Sequence, residues 1–180
     1  MPDKSTRIYI VGMPGVGKTT LGRKLAKLIN YHFLDLDDYI HSRSGKSVQE
    51  IFAEAGEAAF RQTEMECLHN TEQMEQTLIS TGGGTAAWHD NMDWMNMHGY
   101  TIYIYANEKF IANRLQQSSR EARPLLKNMN GDEILNWVTH TSNARKPYYE
   151  KARLHVSAPV KSLKTLVNTD ITNHIVTAGK

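Results

Sequence analysis

Short apolar runs alternate with amphipathic stretches along the chain, and that alternation predicts the architecture. Arg7-Ile8-Tyr9-Ile10-Val11 is a β-branched and aromatic run of the kind that forms a strand buried on both faces. Thr20 to Ile29 follows with Leu21, Leu25 and Leu28 at helical spacing, and Asn30 is placed to cap it. Tyr31 to Asp37 reads as a second strand, so the first two strands and the helix between them form a right-handed parallel βαβ unit. Thr77 to Thr81, Tyr100 to Tyr105 and Leu154 to Ser157 read as three more strands.

Helical patterns fill the intervals. Asp38 to Ser44 reads as a short helix closed by Gly45. Ser47-Val48-Gln49-Glu50 is a capping box heading a helix with Ile51, Phe52 and Ala55 turned inward. Gly56 breaks it, and Glu57 starts a longer helix running to about Gln76. Asp90 to Met97 is helical with Met92 and Met95 facing the core, as are Glu108 to Gln117 and Gly131 to Ala144, the last with Ile134, Leu135 and Val138 on one side. Pro147 is expected to end or kink that helix, and Ser162 to about Asn173 closes the chain. The class is α/β, with a parallel sheet flanked by helices.

Two stretches depart from the alternation. Residues 37–76 are a helical insertion of about 40 residues between the second and third strands, long for a simple crossover. Insertions at a ligand edge usually carry specificity. Residues 116–128 include Ser118 to Leu126, which is polar, marked by Pro124 and lacks a repeating apolar face. That segment reads either as a mobile lid offering Arg120 and Arg123 or as an ordinary surface loop.

The chemistry begins at Gly12-Met13-Pro14-Gly15-Val16-Gly17-Lys18-Thr19, which fits the phosphate-loop pattern G-x-x-x-x-G-K-[S/T] between a strand and a helix. Gly15 and Gly17 let successive N–H groups turn inward, and the helix start adds unpaired N–H groups and partial positive charge. Lys18 supplies a cation for the β- and γ-phosphates, and Thr19 a hydroxyl for Mg²⁺. Asp35 and Asp37 leave the second strand beside this loop and share a face if the strand is still extended there. They divide the work at a Mg-nucleotide, or cap the next helix, and the two roles are compatible. Gly82-Gly83-Gly84 at the third strand's exit implies a close approach of backbone to ligand. Arg61 and Glu64, at i,i+3, form either a site pair or a solvated surface pair. Arg61, Arg123 and Arg145 exceed what one triphosphate needs, so a second, anionic ligand is expected. The reading is phosphoryl transfer from a nucleoside triphosphate to a small hydroxy acid.

Bulk properties narrow the field. The 180 residues suit one domain, 1–180, and 40% apolar with 22% charged residues is ordinary for a globule. A formal charge of +2 gives no argument for nucleic acid or membrane as partner. The single cysteine, Cys67, excludes an internal disulfide and reads as a small semi-buried helix residue. The histidines form no metal-binding spacing, no apolar run reaches membrane-span length, and the polar Met1 to Thr6 carries no signal-peptide pattern. A cytoplasmic monomer is expected.

Six motifs in this order resemble the shikimate kinase family: G-M-P-G-V-G-K-T-T-L-G-R at Gly12 to Arg23, D-L-D-D at Asp35 to Asp38, G-E-A-A-F-R at Gly56 to Arg61, T-G-G-G at Thr81 to Gly84, R-P-L-L at Arg123 to Leu126, and R-K-P-Y-Y-E-K-A at Arg145 to Ala152. The resemblance spans Ile8 to Val156. It implies a three-layer P-loop kinase fold with strand order 2-3-1-4-5, and transfer of the ATP γ-phosphoryl group to the 3-hydroxyl of shikimate on the route to chorismate and the aromatic amino acids. It implies that Gly15, Val16, Gly17, Lys18, Thr19 and Thr20 hold the ATP phosphates and that Arg123 reaches over them from the lid. Thr19 would bind Mg²⁺ directly, with Asp35 one shell further out. Asp37 would contact the acceptor hydroxyls and take the proton, acting catalytically with Lys18 and Arg123. Arg61 and Arg145 would clasp the carboxylate, Gly83 would offer a backbone contact, Glu64 would orient Arg61, and Phe52 and Phe60 would wall the ring. The family often has serine at the Thr19 position. The segment Ser157 to Ser162, which usually brackets the adenine, shows no residue-by-residue match. Two other readings compete. A gluconate-type kinase would lack T-G-G-G and the Arg61–Arg145 pair, and a non-catalytic nucleotide-binding module should be damaged at Lys18, Asp37 or Arg123.

Overall fold

The computed structural model describes residues 7–118, 126 and 128–167. Its centre is β1 (Arg7–Val11), buried at every position, paired in parallel with β3 (Thr77–Ser80) on one side and β4 (Tyr100–Tyr105) on the other. β2 (His32–Asp35) adds outside β3 and β5 (Leu154–Ser157) outside β4, giving five parallel strands in the order β2-β3-β1-β4-β5. The fully buried β1 and β3 sit inside, and the more exposed β2 and β5 take the edges. Arg7, almost fully buried, ties the start of β1 to the chain beneath it by donating to the carbonyls of His98 (2.7 Å), Glu72 (2.6 Å) and Met74 (3.0 Å).

The helices are α1 (Lys18–Ile29), α2 (Leu36–Ser44), α3 (Val48–Asn70), α4 (Asn91–His98), α5 (Glu108–Gln117), α6 (Gly131–Tyr149) and α7 (Leu163–Leu166). Asn30 closes α1 in the left-handed region (φ 59°) and Gly45 closes α2 (φ 69°), as the sequence suggests. Met92 and Met95 are buried core residues, and Cys67 is a buried free thiol.

Three boundaries differ from expectation, each for a physical reason. β2 stops at Asp35 instead of Asp37, because Leu36 is fully buried and the Asp35 carboxylate caps a helix that begins there, accepting from the Asp37 N–H at 3.1 Å. Asp35 and Asp37 therefore lie across a helix start, not on one strand face. α3 has the expected capping box at Ser47 and Glu50 and the expected break at Gly56 (φ 80°, ψ 177°), but ends at Asn70. There Thr71 is buried and bonded to the Leu68 carbonyl (2.6 Å) and the Tyr9 hydroxyl (2.9 Å), opening a short 3-10 turn over Thr71–Gln73. α6 passes through Pro147 and continues to Tyr149. Proline removes one N–H in the last turn, and the Glu150 N–H still bonds Lys146 at 2.9 Å. Arg145 and Tyr149 thus stay one turn apart on one helix. The closing helix beyond residue 167 lies outside the described residues. Among the described residues, no helix is long and apolar enough to cross a membrane.

Candidate active site

The carboxyl ends of β1, β2 and β3 open onto one cleft of about 490 Å³, closed at its sides by α3 and α6. Its floor is the phosphate loop. Gly15 (φ 81°) and Gly17 (φ 104°) hold left-handed backbone that a side chain would strain, and the Val16 N–H bonds the Met13 carbonyl at 3.3 Å. Gly17 caps α1 without a side-chain partner, so the first N–H groups of the helix remain an anion site. The Val16 side chain is buried, leaving only its main chain for a ligand, while Gly15, Gly17, Lys18, Thr19 and Thr20 line the cleft. Lys18 bends back, donating to the Gly12 (2.8 Å) and Met13 (3.0 Å) carbonyls.

Oxygen donors gather beside it. Thr19 Oγ1 donates to Asp35 Oδ2 at 2.8 Å and lies 3.4 Å from Ser80 Oγ. Asp35 is therefore shared between Thr19 and the Asp37 N–H. Asp37 meets the water of the cleft, yet protein rings it closely. That desolvation, then the negative charges of Glu64 and Asp35, push its carboxyl up to about 6 against the opposing pull of Lys18 and Arg61.

The opposite wall is built from α3. Phe52 and Phe60 pack at 4.7 Å, and the Arg61 guanidinium lies 5.1 Å from the Phe60 ring. Arg61 Nη1 donates to Glu64 Oε2 at 2.6 Å, and Glu57 approaches Nη2 at 3.4 Å. With side chains only 11% and 1% exposed, Arg61 and Glu64 are a buried pair in the cleft wall and not the solvated pair that spacing alone allows. Thr85 Oγ1 holds the other carboxylate oxygen of Glu64 at 2.6 Å.

The three glycines fit between these groups because nothing larger would. A Cβ on Gly82 would meet Glu64 Oε1 at 2.6 Å, one on Gly83 would meet Pro14 Cγ at 2.6 Å, and one on Gly84 would meet Arg61 Cζ at 2.6 Å. Arg145 Nη1 donates to the Gly83 carbonyl at 3.0 Å, and the Tyr149 hydroxyl donates to the same oxygen.

The cleft so brings together the sequence candidates Gly15, Gly17, Lys18, Thr19, Thr20, Asp35, Asp37, Phe52, Phe60, Arg61, Glu64, Gly83 and Arg145. Arg123, Arg120 and most of the 116–128 segment lie outside the described residues. Four participants escape the sequence reading. Thr85 and Tyr149 act through partners distant in the chain, and Trp137 and Arg114 line the cleft from helices whose pattern signals only packing and solvent. The Arg114 guanidinium lies 3.6 Å from where a Cβ on Gly17 would sit. The spacing of four between Arg145 and Tyr149 puts them on one helix face, because α6 continues through Pro147.

Comparison with known proteins agrees with this geometry. The family model described as shikimate kinase matches residues 14–176. A shikimate kinase of Parabacteroides distasonis is 41% identical over 165 residues, covering 92% of each chain. The crystal structure of shikimate kinase from Bacteroides thetaiotaomicron superposes with TM-score 0.83 at 33% identity, covering 97% of this chain and 99% of that one. Shikimate kinase from Acinetobacter baumannii in complex with shikimate gives 0.82 at 28%, covering 99% and 97%. A gluconokinase from Sinorhizobium meliloti, at TM-score 0.61 and 14% identity, shares the fold alone. A phosphate loop facing a two-arginine, three-glycine pocket, on a chain matched along nearly its whole length, leaves one conclusion: the chain belongs to the shikimate kinase family.

Proposed function

We propose that the chain transfers the γ-phosphoryl group of ATP to the 3-hydroxyl of shikimate, giving shikimate 3-phosphate and ADP. The observation that carries this is the cleft itself. An anion-binding loop and an acid-binding pocket share one wall, since Gly83 abuts Pro14 of the phosphate loop while its carbonyl holds Arg145.

The phosphate loop and the start of α1 receive the triphosphate, with Lys18 turning from loop carbonyls to the outer phosphates. The hydroxyl of Thr19 and the carboxylate of Asp35 are hard oxygen donors, few in number, which suits Mg²⁺, an ion that keeps waters and phosphate oxygens in its shell. Bound there with ATP, Mg²⁺ would neutralise charge on the β- and γ-phosphates. Arg61 and Arg145 grip the shikimate carboxylate, and Phe52 and Phe60 wall its ring. Asp37 then faces the acceptor hydroxyl. The hydroxyl oxygen bonds to the γ-phosphorus as the bond to ADP breaks, and the hydroxyl proton passes to the Asp37 carboxylate. Arg123, in the R-P-L-L motif, is assigned to the transferring phosphoryl group.

An ADP-coupled assay with ATP, Mg²⁺ and a panel of hydroxy acids tests the reading. Turnover of shikimate and not of gluconate is expected, and the reverse would overturn it. Pocket variants should raise the KM for shikimate and leave that for ATP near wild type.

A further inference from the structure

Tyr149 is fully buried, and the reaction as described gives it no task. Its placement is not that of a filler. The ring stacks on Tyr103 at 5.1 Å. The hydroxyl donates to the Gly83 carbonyl and lies 3.9 Å from the sulfur of Met13 in the phosphate loop. Burial pushes its pKa up to about 12, so it stays a proton donor throughout the working range.

The Gly83 carbonyl belongs to the peptide joining Gly83 to Gly84. Arg145 bonds that carbonyl from one side, and on the other Gly84 abuts the Arg61 guanidinium so closely that no Cβ fits. One peptide plane is thus the spacer between the two arginines. A peptide flanked by glycines on both sides has little steric resistance to rotation. If it flips, its carbonyl dipole leaves Arg145 and its edge shifts against Arg61. A second donor on the same oxygen opposes that flip, and among the described residues Tyr149 supplies one that carries no charge and needs none of the guanidinium's donors.

We propose that Tyr149 is a positioning residue for the acceptor: its hydroxyl locks the Gly83–Gly84 peptide and through it sets the spacing of Arg61 and Arg145. The proposal rests on the reading of those arginines as the carboxylate clasp.

The test is Tyr149→Phe, with Tyr103→Phe as a control for loss of a hydroxyl in the same stack. Losing one hydrogen bond that pre-organises a charged clasp should raise the shikimate KM about tenfold. The kcat and the ATP KM should stay within about threefold, and Tyr103→Phe should change none of them. With the carboxamide analogue of shikimate as acceptor, the Tyr149→Phe penalty should shrink, whereas a general packing defect would penalise both acceptors equally. In an Arg145→Ala background Tyr149→Phe should add little. Para-aminophenylalanine at position 149, which keeps a donor, should restore the shikimate KM, and does so as well if Tyr149→Phe itself folds poorly. A folded Tyr149→Phe with unchanged shikimate KM, or a folded para-aminophenylalanine protein with KM still raised, overturns the proposal. If Arg61→Ala and Arg145→Ala leave the shikimate KM unchanged, it is the clasp reading that fails, whatever Tyr149 does.

Discussion

Glu64→Gln should change the pH profile of this kinase in a direction that its geometry fixes. The Asp37 carboxyl titrates near 6, and burial and the Glu64 charge are the first two causes. Asp37 Oδ1 lies 3.5 Å, and Glu64 Oε1 2.6 Å, from the point where a Cβ on Gly82 would sit, so the two oxygens are at most about 6 Å apart. Two like charges at that distance repel by about 3 kcal/mol at an effective dielectric of about 20. Arg61, 2.6 Å from Glu64, and water in the cleft cut this to about half, or about one pH unit.

The sign follows from the role of Asp37. In the proposed reaction its ionised form accepts the hydroxyl proton, so kcat/KM for shikimate should rise with pH through about 6 and fall on the acid side. Glutamine keeps the shape and the acceptor oxygen of Glu64 but removes its charge, which moves the Asp37 inflection down, by about one pH unit on the repulsion worked above. It also weakens the hold on Arg61, so the shikimate KM rises severalfold at every pH. The assay is kcat/KM for shikimate from pH 5 to 8 at saturating magnesium nucleotide, compared between wild type and variant so that substrate ionisation cancels. Asp37→Asn, in which kcat should fall about 10²-fold or more, supplies the control without the inflection. An inflection in Glu64→Gln that stays in place or moves up would refute the reasoning, and a near-normal kcat in Asp37→Asn would leave Asp37 a binding residue.

Three further outcomes are expected. Arg145→Ala should raise the shikimate KM more than Arg61→Ala, because Arg61 is already neutralised by Glu64 while no carboxylate among the described residues pairs with Arg145; steady-state kinetics on both variants decides. Gly84→Ala keeps an ordinary helical φ of −98° but drives a methyl into Arg61, so the shikimate KM should rise about tenfold with the ATP KM unchanged. Ser47→Ala removes the capping box that starts α3, at a cost of about 1 kcal/mol, and thermal melting should show a fall in Tm of about 2–4 °C.

What the sequence discloses here, and what it hides, divides by the range of the interaction. β1 and the phosphate loop are legible because burial on both faces forces a continuous apolar run and left-handed backbone forces glycine at Gly15 and Gly17. The capping box at Ser47 and the stop at Gly45 are equally local. The end of β2 is not. It depends on Asp35 turning its carboxylate both to Thr19, sixteen residues earlier, and to the Asp37 N–H. The Arg61–Glu64 spacing permits a pair, but its burial comes from Thr85 and the glycines of the β3 exit, which no periodicity on α3 records. Tyr149 stayed hidden because Pro147 reads as a stop, while the last turn of a helix can lose one N–H and continue.

The long-range contacts share a logic that the local pattern could not carry. Three cations of the cleft are held by protein partners that differ in kind. Lys18 donates to main-chain carbonyls of its own loop and Arg145 to the Gly83 carbonyl, whereas Arg61 is bound to a carboxylate. A carbonyl fixes a cation's position without cancelling its charge, so Arg145 meets an arriving anion at nearly full strength. A carboxylate fixes position and cancels charge, and it also loads negative potential onto Asp37, the base of the proposed reaction. Glu64 therefore does two things with one charge: it fixes Arg61, the proposed carboxylate ligand, and makes Asp37, the proposed base, more basic. The glycine triplet is what lets the two ends meet, because any side chain at Gly82 or Gly84 would push Glu64 or Arg61 out of register.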